Sequence, residues 1–228
     1  MDNNVCANPS SQREINESLQ AIARYQVKGM GRKKCIERYD KTGAEYEAHA
    51  SVINYQGPYE LARTMEELFP ENRDQTKILD AASGTGLAGV ELFKAGFTHL
   101  DAVDASEGML ALAKTKNIYQ RLICEYLGEN KLEIKDRIYD AVTMCGGIGE
   151  NHVPYSAFEE LLSVIKPGGV FVNVTRAEHS EKVDEYRDKA LPLFEKLAEE
   201  GKWKLEMKRK FPDFIAGVEG VLSVYRVL

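Results

Sequence analysis

The chain is predicted to fold as an α/β domain in which a mostly parallel, seven-stranded sheet carries helices on both faces and ends in an antiparallel hairpin. Three observations lead there. From residue 76 short apolar runs alternate with helical patterns, separated by turns too short for anything but βα units. The first of these turns, SGTG at 83–86, is a glycine turn between a strand and a helix. From Trp203 onward two strand-like segments follow each other with no helix between them.

Residues 1–11 are polar and turn-rich, and disorder is expected there. Ile15, Leu19, Ile22 and Tyr25 then recur at helical spacing, which predicts an amphipathic helix ending near Gly29 and Gly31. Packing on the core is its expected role, with cleft closure or an oligomer contact as alternatives. The run GRKKCIER at 31–38 reads as a solvated helix face rather than a nuclear-localisation patch. Residues 1–35 thus form an N-terminal extension and 36–228 the main domain.

The main domain then runs strand 76–81, helix 86–95, strand 99–104, helix 106–116, strand 119–126 and strand 138–145. Short βα loops imply right-handed crossovers and parallel pairing. Pro154 is expected to open a helix whose apolar face is Phe158, Leu161, Leu162 and Ile165, before Pro167, Gly168 and Gly169 turn the chain into strand 170–176. A helix over 183–200 should bend or split at Pro192. In 203–211, Trp203, Leu205, Met207 and Phe211 alternate with Lys204, Glu206, Lys208 and Lys210, which predicts a lysine-protected edge strand. Segment 217–228 is apolar on both faces and belongs inside the sheet beside it.

Function centres on ILDAASGTGLAG at 78–89 and DAVDAS at 101–106. Gly84 and Gly86 let the backbone approach a ligand, the helix opening at Gly86 aims unpaired N–H groups at it, and Asp104 ends the next strand where a carboxylate accepts from ribose hydroxyls. Gly84, Gly86 and Gly89 also satisfy GxGxxG, so a nicotinamide-dependent oxidoreductase is one alternative. Asp80 argues against it, because a fixed negative charge beside a pyrophosphate is unfavourable. A cationic ligand such as S-adenosylmethionine suits Asp80 at its ammonium end and Asp104 at its ribose.

At this point the chain resembles the class I S-adenosylmethionine-dependent methyltransferases, over residues 36–176 at least. ERYDKTGAEYE at 37–47 is similar to the family's tyrosine-bearing segment, LDAASGTG to its first motif and VDASEGML to its second, while YDAVTMCGGIG and IKPGGVFVNVTR resemble its fourth and fifth strands. The resemblance implies a Rossmann-like methyltransferase fold, S-adenosyl-L-methionine as cofactor and a small-molecule or protein methyl acceptor. It also implies a cofactor site of Tyr39, Tyr46, Asp80, Ala82, Gly84, Gly86, Asp104, Ala105, Met109, Tyr126, Leu127 and Cys145. Tyr39 and Tyr46 would form a lid over the methionine moiety, and Met109 would lie on the adenine or simply pack in the core.

Two departures from the family stand out. Ala82 replaces a usual glycine and is expected to be harmless, the two following glycines making the turn. No aspartate ends the third strand, so backbone contacts from Tyr126 or Leu127 are expected at the adenine, with Glu125 as substitute only if its register points inward.

Methyl transfer to a bound nucleophile rests mainly on positioning, so the catalytic residues stay unassigned. His152, in what reads as an exposed loop, is a weak general-base candidate, and Asn151, His152 and Arg176 are substrate-facing candidates. A cation site built on Glu150, Asn151 and His152 lacks a spaced set of acids, and no metal is expected. A protein that binds the cofactor without turnover, as a regulatory partner, is the other alternative.

With 30 basic and 36 acidic residues the net charge is −6, which gives no electrostatic case for nucleic acid. Cys6, Cys35, Cys124 and Cys145 show no CxxC pair and no metal-ligand spacing, as in a reduced intracellular protein. No signal-peptide pattern and no membrane-spanning run are present, so a cytoplasmic protein is expected, with the nucleus as the alternative. Oligomeric state is left open.

Overall fold

The computed structural model describes residues 10–129 and 132–228. The disorder expected at the polar start falls almost wholly on residues 1–9, outside the described residues, as does Cys6.

Five parallel strands, β1 (Lys77–Ala81), β2 (His99–Asp104), β3 (Tyr119–Cys124), β4 (Tyr139–Cys145) and β5 (Ile165–Arg176), join β6 (Trp203–Ile215) and β7 (Val218–Val227) in the order β3-β2-β1-β4-β5-β7-β6. β7 lies antiparallel between β5 and β6, which leaves the lysine-bearing β6 at the edge as expected. Parallel strands buried on both faces need apolar residues at consecutive positions. In β1, Leu79 packs into the core on one face with Val103 and Val142, while its neighbour Ile78 packs with Leu100 and Ala141 on the other.

Helices cover both faces: α1 (Gln12–Ala23), α2 (Arg32–Val52), α3 (Gly57–Leu68), α4 (Leu87–Lys94), α5 (Glu107–Thr115), α6 (Ala157–Ser163), α7 (His179–Lys182) and α8 (Leu191–Glu199). Ser11 opens α1 through a capping box with Glu14, and Ile22 of α1 is buried, so this helix does pack on the core. α2 passes continuously through residues 35 and 36 and is kinked at Thr42 (φ −127°, ψ 19°). α3 has no counterpart in the sequence reading. Gly57 and Pro58 resemble a turn, yet proline in the first helical turn gives up only an N–H that has no intrahelical partner.

Three boundaries differ from expectation. Ile165 does not sit on a helix face, because its backbone already pairs with Tyr139 and β5 begins there, ahead of a register shift at the Pro-Gly-Gly turn. The segment 183–200 adopts a wide, π-helical turn at Tyr186–Ala190 just before Pro192, which occupies the first turn of α8. The wide turn accommodates a ring that would otherwise clash with the carbonyl one turn back. In β6 a bulge between Leu205 and Met207 shifts the register, so Trp203 packs into one core and Phe211 into the opposite one, while Leu205 is half exposed. A one-residue slip moves every later side chain to the other face.

Candidate functional site

The carboxyl ends of β1, β2 and β4 open into one cavity, at the point where the strand order reverses between β1 and β4. Its empty volume is about 990 Å³ including its solvent-open mouth. Among the residues singled out from sequence, Tyr39, Tyr46, Asp80, Ala82, Gly84, Asp104, Ala105, Met109, Tyr126, Leu127, Cys145, Asn151 and His152 line it. Gly86 and Arg176 do not. Gly86 instead caps α4 in a left-handed conformation (φ 87°), and Arg176 sits 3.8 Å from Glu178 with its side chain 15% exposed.

The floor is the glycine turn. Ala82 itself adopts φ 53°, so the expectation that glycines alone make the turn is corrected: the alanine is in the left-handed region, at a cost of about 1 kcal/mol. After it, Ser83 Oγ and Thr85 Oγ1 are buried with no hydrogen-bond partner. Buried hydroxyls are rarely left so, and both residues line the cavity, which fits a polar ligand. Asp104 fastens the turn by accepting from the N–H of Gly84 (2.8 Å) and of Ser106 (2.9 Å), one at each oxygen. Each oxygen keeps a lone pair for a ligand hydroxyl. Burial pushes Asp104 above the usual carboxylate range despite these bonds.

Asp80 is 1% exposed and accepts from Tyr119 Oη at 2.6 Å and Thr143 Oγ1 at 3.3 Å. Burial raises its pKa to about 6. Tyr119, on β3, lies in the stretch NIYQRLICEYLG, but nothing in the sequence assigned it a role at the site.

α2 and the segment before it form the roof. Tyr25 stacks on Tyr39 with ring centroids 4.2 Å apart, and both meet Tyr46 edge-on. Tyr25 also bonds Thr42 at the α2 kink (2.5 Å), so the segment before α2 backs the roof. Asp40 pins α2 to the start of α5 by accepting from Ser106 Oγ (2.7 Å) and the Gly108 N–H (3.0 Å). An acid is favourable against a helix N-terminus.

His152 is half-buried rather than exposed. Its Nδ1 lies 2.7 Å from the Glu150 carbonyl, which can only accept, so Nδ1 carries the proton and Nε2 accepts from Tyr39 Oη at 2.9 Å. Burial lowers its pKa, keeping the ring neutral near pH 7. Asn151 spends its amide on the strap above it, accepting from the Gly31 N–H (2.9 Å) and donating to the Val27 carbonyl (2.8 Å). That leaves it a clamp more than a substrate contact.

On the far wall Tyr55, another residue the sequence did not single out, meets Cys145 Sγ at 3.2 Å. The turn that carries it is bonded to the β6–β7 hairpin, Gln56 N–H to Phe214 and Ala216 N–H to Ile53. Burial lifts the Cys145 thiol to about 12, so it is an inert wall group. Met109 is buried against the cavity, and Glu125, Tyr126 and Leu127 close the β3 side. Among the described residues no group of His, Cys, Asp and Glu is placed to hold a metal, and no helix is long and apolar enough to cross a membrane.

Residues 78–169 match the methyltransferase domain family. The chain is 32% identical over 166 residues to human methyltransferase-like protein 27, covering 73% of this chain and 66% of that protein. It is 32% identical over 164 residues to a demethylmenaquinone methyltransferase of Corynebacterium efficiens, covering 71% of this chain and 64% of that one. Among solved structures, a TehB-like SAM-dependent methyltransferase from Corynebacterium glutamicum superposes with TM-score 0.59 at 18% identity, covering 84% of this chain and all of that one. The DhpI–SAH complex gives TM-score 0.57 at 20% identity, with 84% and 94% covered.

Proposed function

We propose that this chain, which carries a class I S-adenosylmethionine-dependent methyltransferase domain, binds S-adenosylmethionine in the cavity and transfers its methyl group to a small molecule or a protein side chain. The observation that carries the reading is the meeting, in one cavity, of a buried acid, Asp80, and a half-buried one, Asp104, with two unpartnered hydroxyls, on Ser83 and Thr85. Asp104 would accept from the ribose hydroxyls, Asp80 would face the α-ammonium group, and the Ser83 and Thr85 hydroxyls would meet the remaining polar atoms of the amino-acid end. Met109, Ala105 and Leu127 offer an apolar slot for the adenine. Bound there, S-adenosylmethionine supplies a methyl group already activated by its sulfonium.

The chain's own contribution is positioning and exclusion of water. Tyr39 and Tyr46 wall off the roof with Tyr25 stacked behind Tyr39, and holding a nucleophile at attack distance is worth up to ~7–11 kcal/mol. Where the acceptor carries a proton, His152 is the candidate base by relay: its Nε2 lone pair accepts from Tyr39 Oη, so a proton would reach it through that phenol at the cavity wall. Arg176 lies behind this wall, where its charge opposes protonation of His152.

A narrower kinship, with the methyltransferase-like protein encoded in the Williams-Beuren syndrome chromosomal region, is supported by LDAASGTGLAG, GFTHLDAVDASEGML, NIYQRLICEYLG and KPGG. The relatives named above leave the acceptor open between quinone-like rings and other nucleophiles. The test is incubation of the full chain with methyl-labelled S-adenosylmethionine and fractionated metabolite and protein extracts. Label should appear in one fraction and be lost with Asp104→Ala. Saturable cofactor binding with no transfer to any fraction would favour the regulatory protein without turnover.

A further inference from the structure

Among the described residues Asp80 has no cationic partner. Its buried carboxylate accepts from two neutral hydroxyls, and the charge that acts on it is the like charge of Asp104. The shorter of the two bonds comes from Tyr119, the first residue of β3, which reaches past β2 to β1. Its ring lies beneath α4, in space that exists because residues 86 and 89 have no side chain. A Cβ on Gly89 would stand 2.0 Å from the phenol oxygen, and one on Gly86 would stand 3.0 Å from the ring edge. The third glycine of the GxGxxG pattern therefore makes room for a tyrosine, and a dinucleotide is not needed to explain it.

We infer that Tyr119 is a positioning residue for the methyl donor: its phenol, seated against Gly89, aims the Asp80 carboxylate at the donor's α-ammonium group and favours its ionised form. The inference rests on the S-adenosylmethionine reading above. Around Asp80, β3 contributes Tyr119, β4 contributes Thr143 and the Cys145 thiol, β2 contributes Asp104, and α4 presents its glycines. Burial raises Asp80, the two hydroxyl bonds oppose that rise, and Asp104 adds to it.

Removing the phenol bond should move the Asp80 titration further up. A ligand that requires the ionised carboxylate then binds several-fold more weakly at about pH 6 and nearly unchanged at about pH 8.5. The ligand's own α-amino group titrates with either protein and cancels in the ratio.

The experiment titrates S-adenosylhomocysteine calorimetrically into the full chain and into Tyr119→Phe from about pH 5.5 to 8.5. 5′-Methylthioadenosine, which keeps the nucleoside and lacks the amino acid, is the second probe. The variant-to-wild-type ratio of Kd should climb as pH falls for S-adenosylhomocysteine and stay flat near one for methylthioadenosine. Gly89→Ala, which keeps the tyrosine and removes its seat, should reproduce the pH-dependent ratio, and it carries the test if Tyr119→Phe does not fold by circular dichroism. A pH-independent ratio, or an equal loss with both probes, overturns the inference and leaves Tyr119 as packing. Failure of both probes to bind the wild-type chain overturns the donor reading, and the inference with it.

Discussion

The two ends of the sheet solve opposite problems. Under β5, β6 and β7, the aromatic side chains of Phe158, Phe171, Phe194, Trp203 and Tyr225 fill a core whose one buried indole N–H is matched, Trp203 Nε1 donating to the Phe194 carbonyl at 3.0 Å. That region also holds two unpartnered polar atoms, Asn173 Oδ1 on β5 and Arg209 Nε on β6, but neither residue lines the cavity. At the carboxyl ends of β1 and β2, by contrast, unpartnered hydroxyls meet two acids raised by burial and an alanine in the left-handed region on the cavity itself. One region is arranged for stability. The other retains local conflicts that a ligand would resolve, and such conflicts concentrate at functional sites.

The largest expected effect breaks the stable end. Trp203→Ala removes a side chain that is 1% exposed and should destabilise the protein by about 3–5 kcal/mol, read from the denaturant midpoint. Whatever fraction remains folded should bind S-adenosylmethionine with little change. A comparable loss of affinity in that folded fraction would mean that the two regions are not separable.

Asp104→Ala strikes the other end. Losing a charged acceptor for two hydroxyls should weaken S-adenosylmethionine about 100-fold or more. Retained far-ultraviolet dichroism would show that the effect is local, and binding within three-fold of wild type would remove Asp104 from the site.

Asp80→Asn sharpens the contrast, because it should damage binding while helping the fold. The folded-state pKa of Asp80, about 6, lies above its ordinary value of 3.8, so the folded chain holds that proton more tightly than the unfolded one. Its contribution therefore worsens as pH rises from about 4 to 6 and stays unfavourable above that. Without ligand, Asp80→Asn should be more stable at pH 7 by on the order of 1–3 kcal/mol, and the gain should vanish below about pH 4. His179, buried and lowered to about 4, has the opposite sign and loses its contribution as pH falls from 6.5 toward that value. A thermal melt series against pH separates the two.

The smallest effect is at Ala82. Glycine there should stabilise the chain by about 0.5–1 kcal/mol, less the entropy that glycine adds to the unfolded state. An unchanged melting temperature would mean that the left-handed alanine carries no net strain.

How much of this was legible depended on distance along the chain. The strand, the glycine turn and Asp104 lie within one βαβ unit, so spacing alone located Asp80, Gly84 and Asp104, and the hairpin declared itself by alternation. Tyr55 lines the cavity, placed by the bond between Gln56 and the hairpin, while Tyr25 stacks behind Tyr39 and Tyr119 reaches Asp80 by passing under α4; no spacing along the chain announces these contacts. The bulge at Leu205 and Met207 was hidden for a related reason. Lysines alternate on both sides of it, so the pattern conceals the slip. For Ala82, residue type argued for an ordinary backbone, and the fastening of Gly84 to Asp104 overrode it.

Calorimetric titration of the full chain with S-adenosylmethionine, after removal of copurified ligand and beside NAD under identical conditions, addresses the cavity most directly. Saturable binding of S-adenosylmethionine with no heat from NAD is the expected result. NAD binding, or no binding of S-adenosylmethionine, would contradict the assignment of Asp80, Asp104 and the roof tyrosines to a methyl donor.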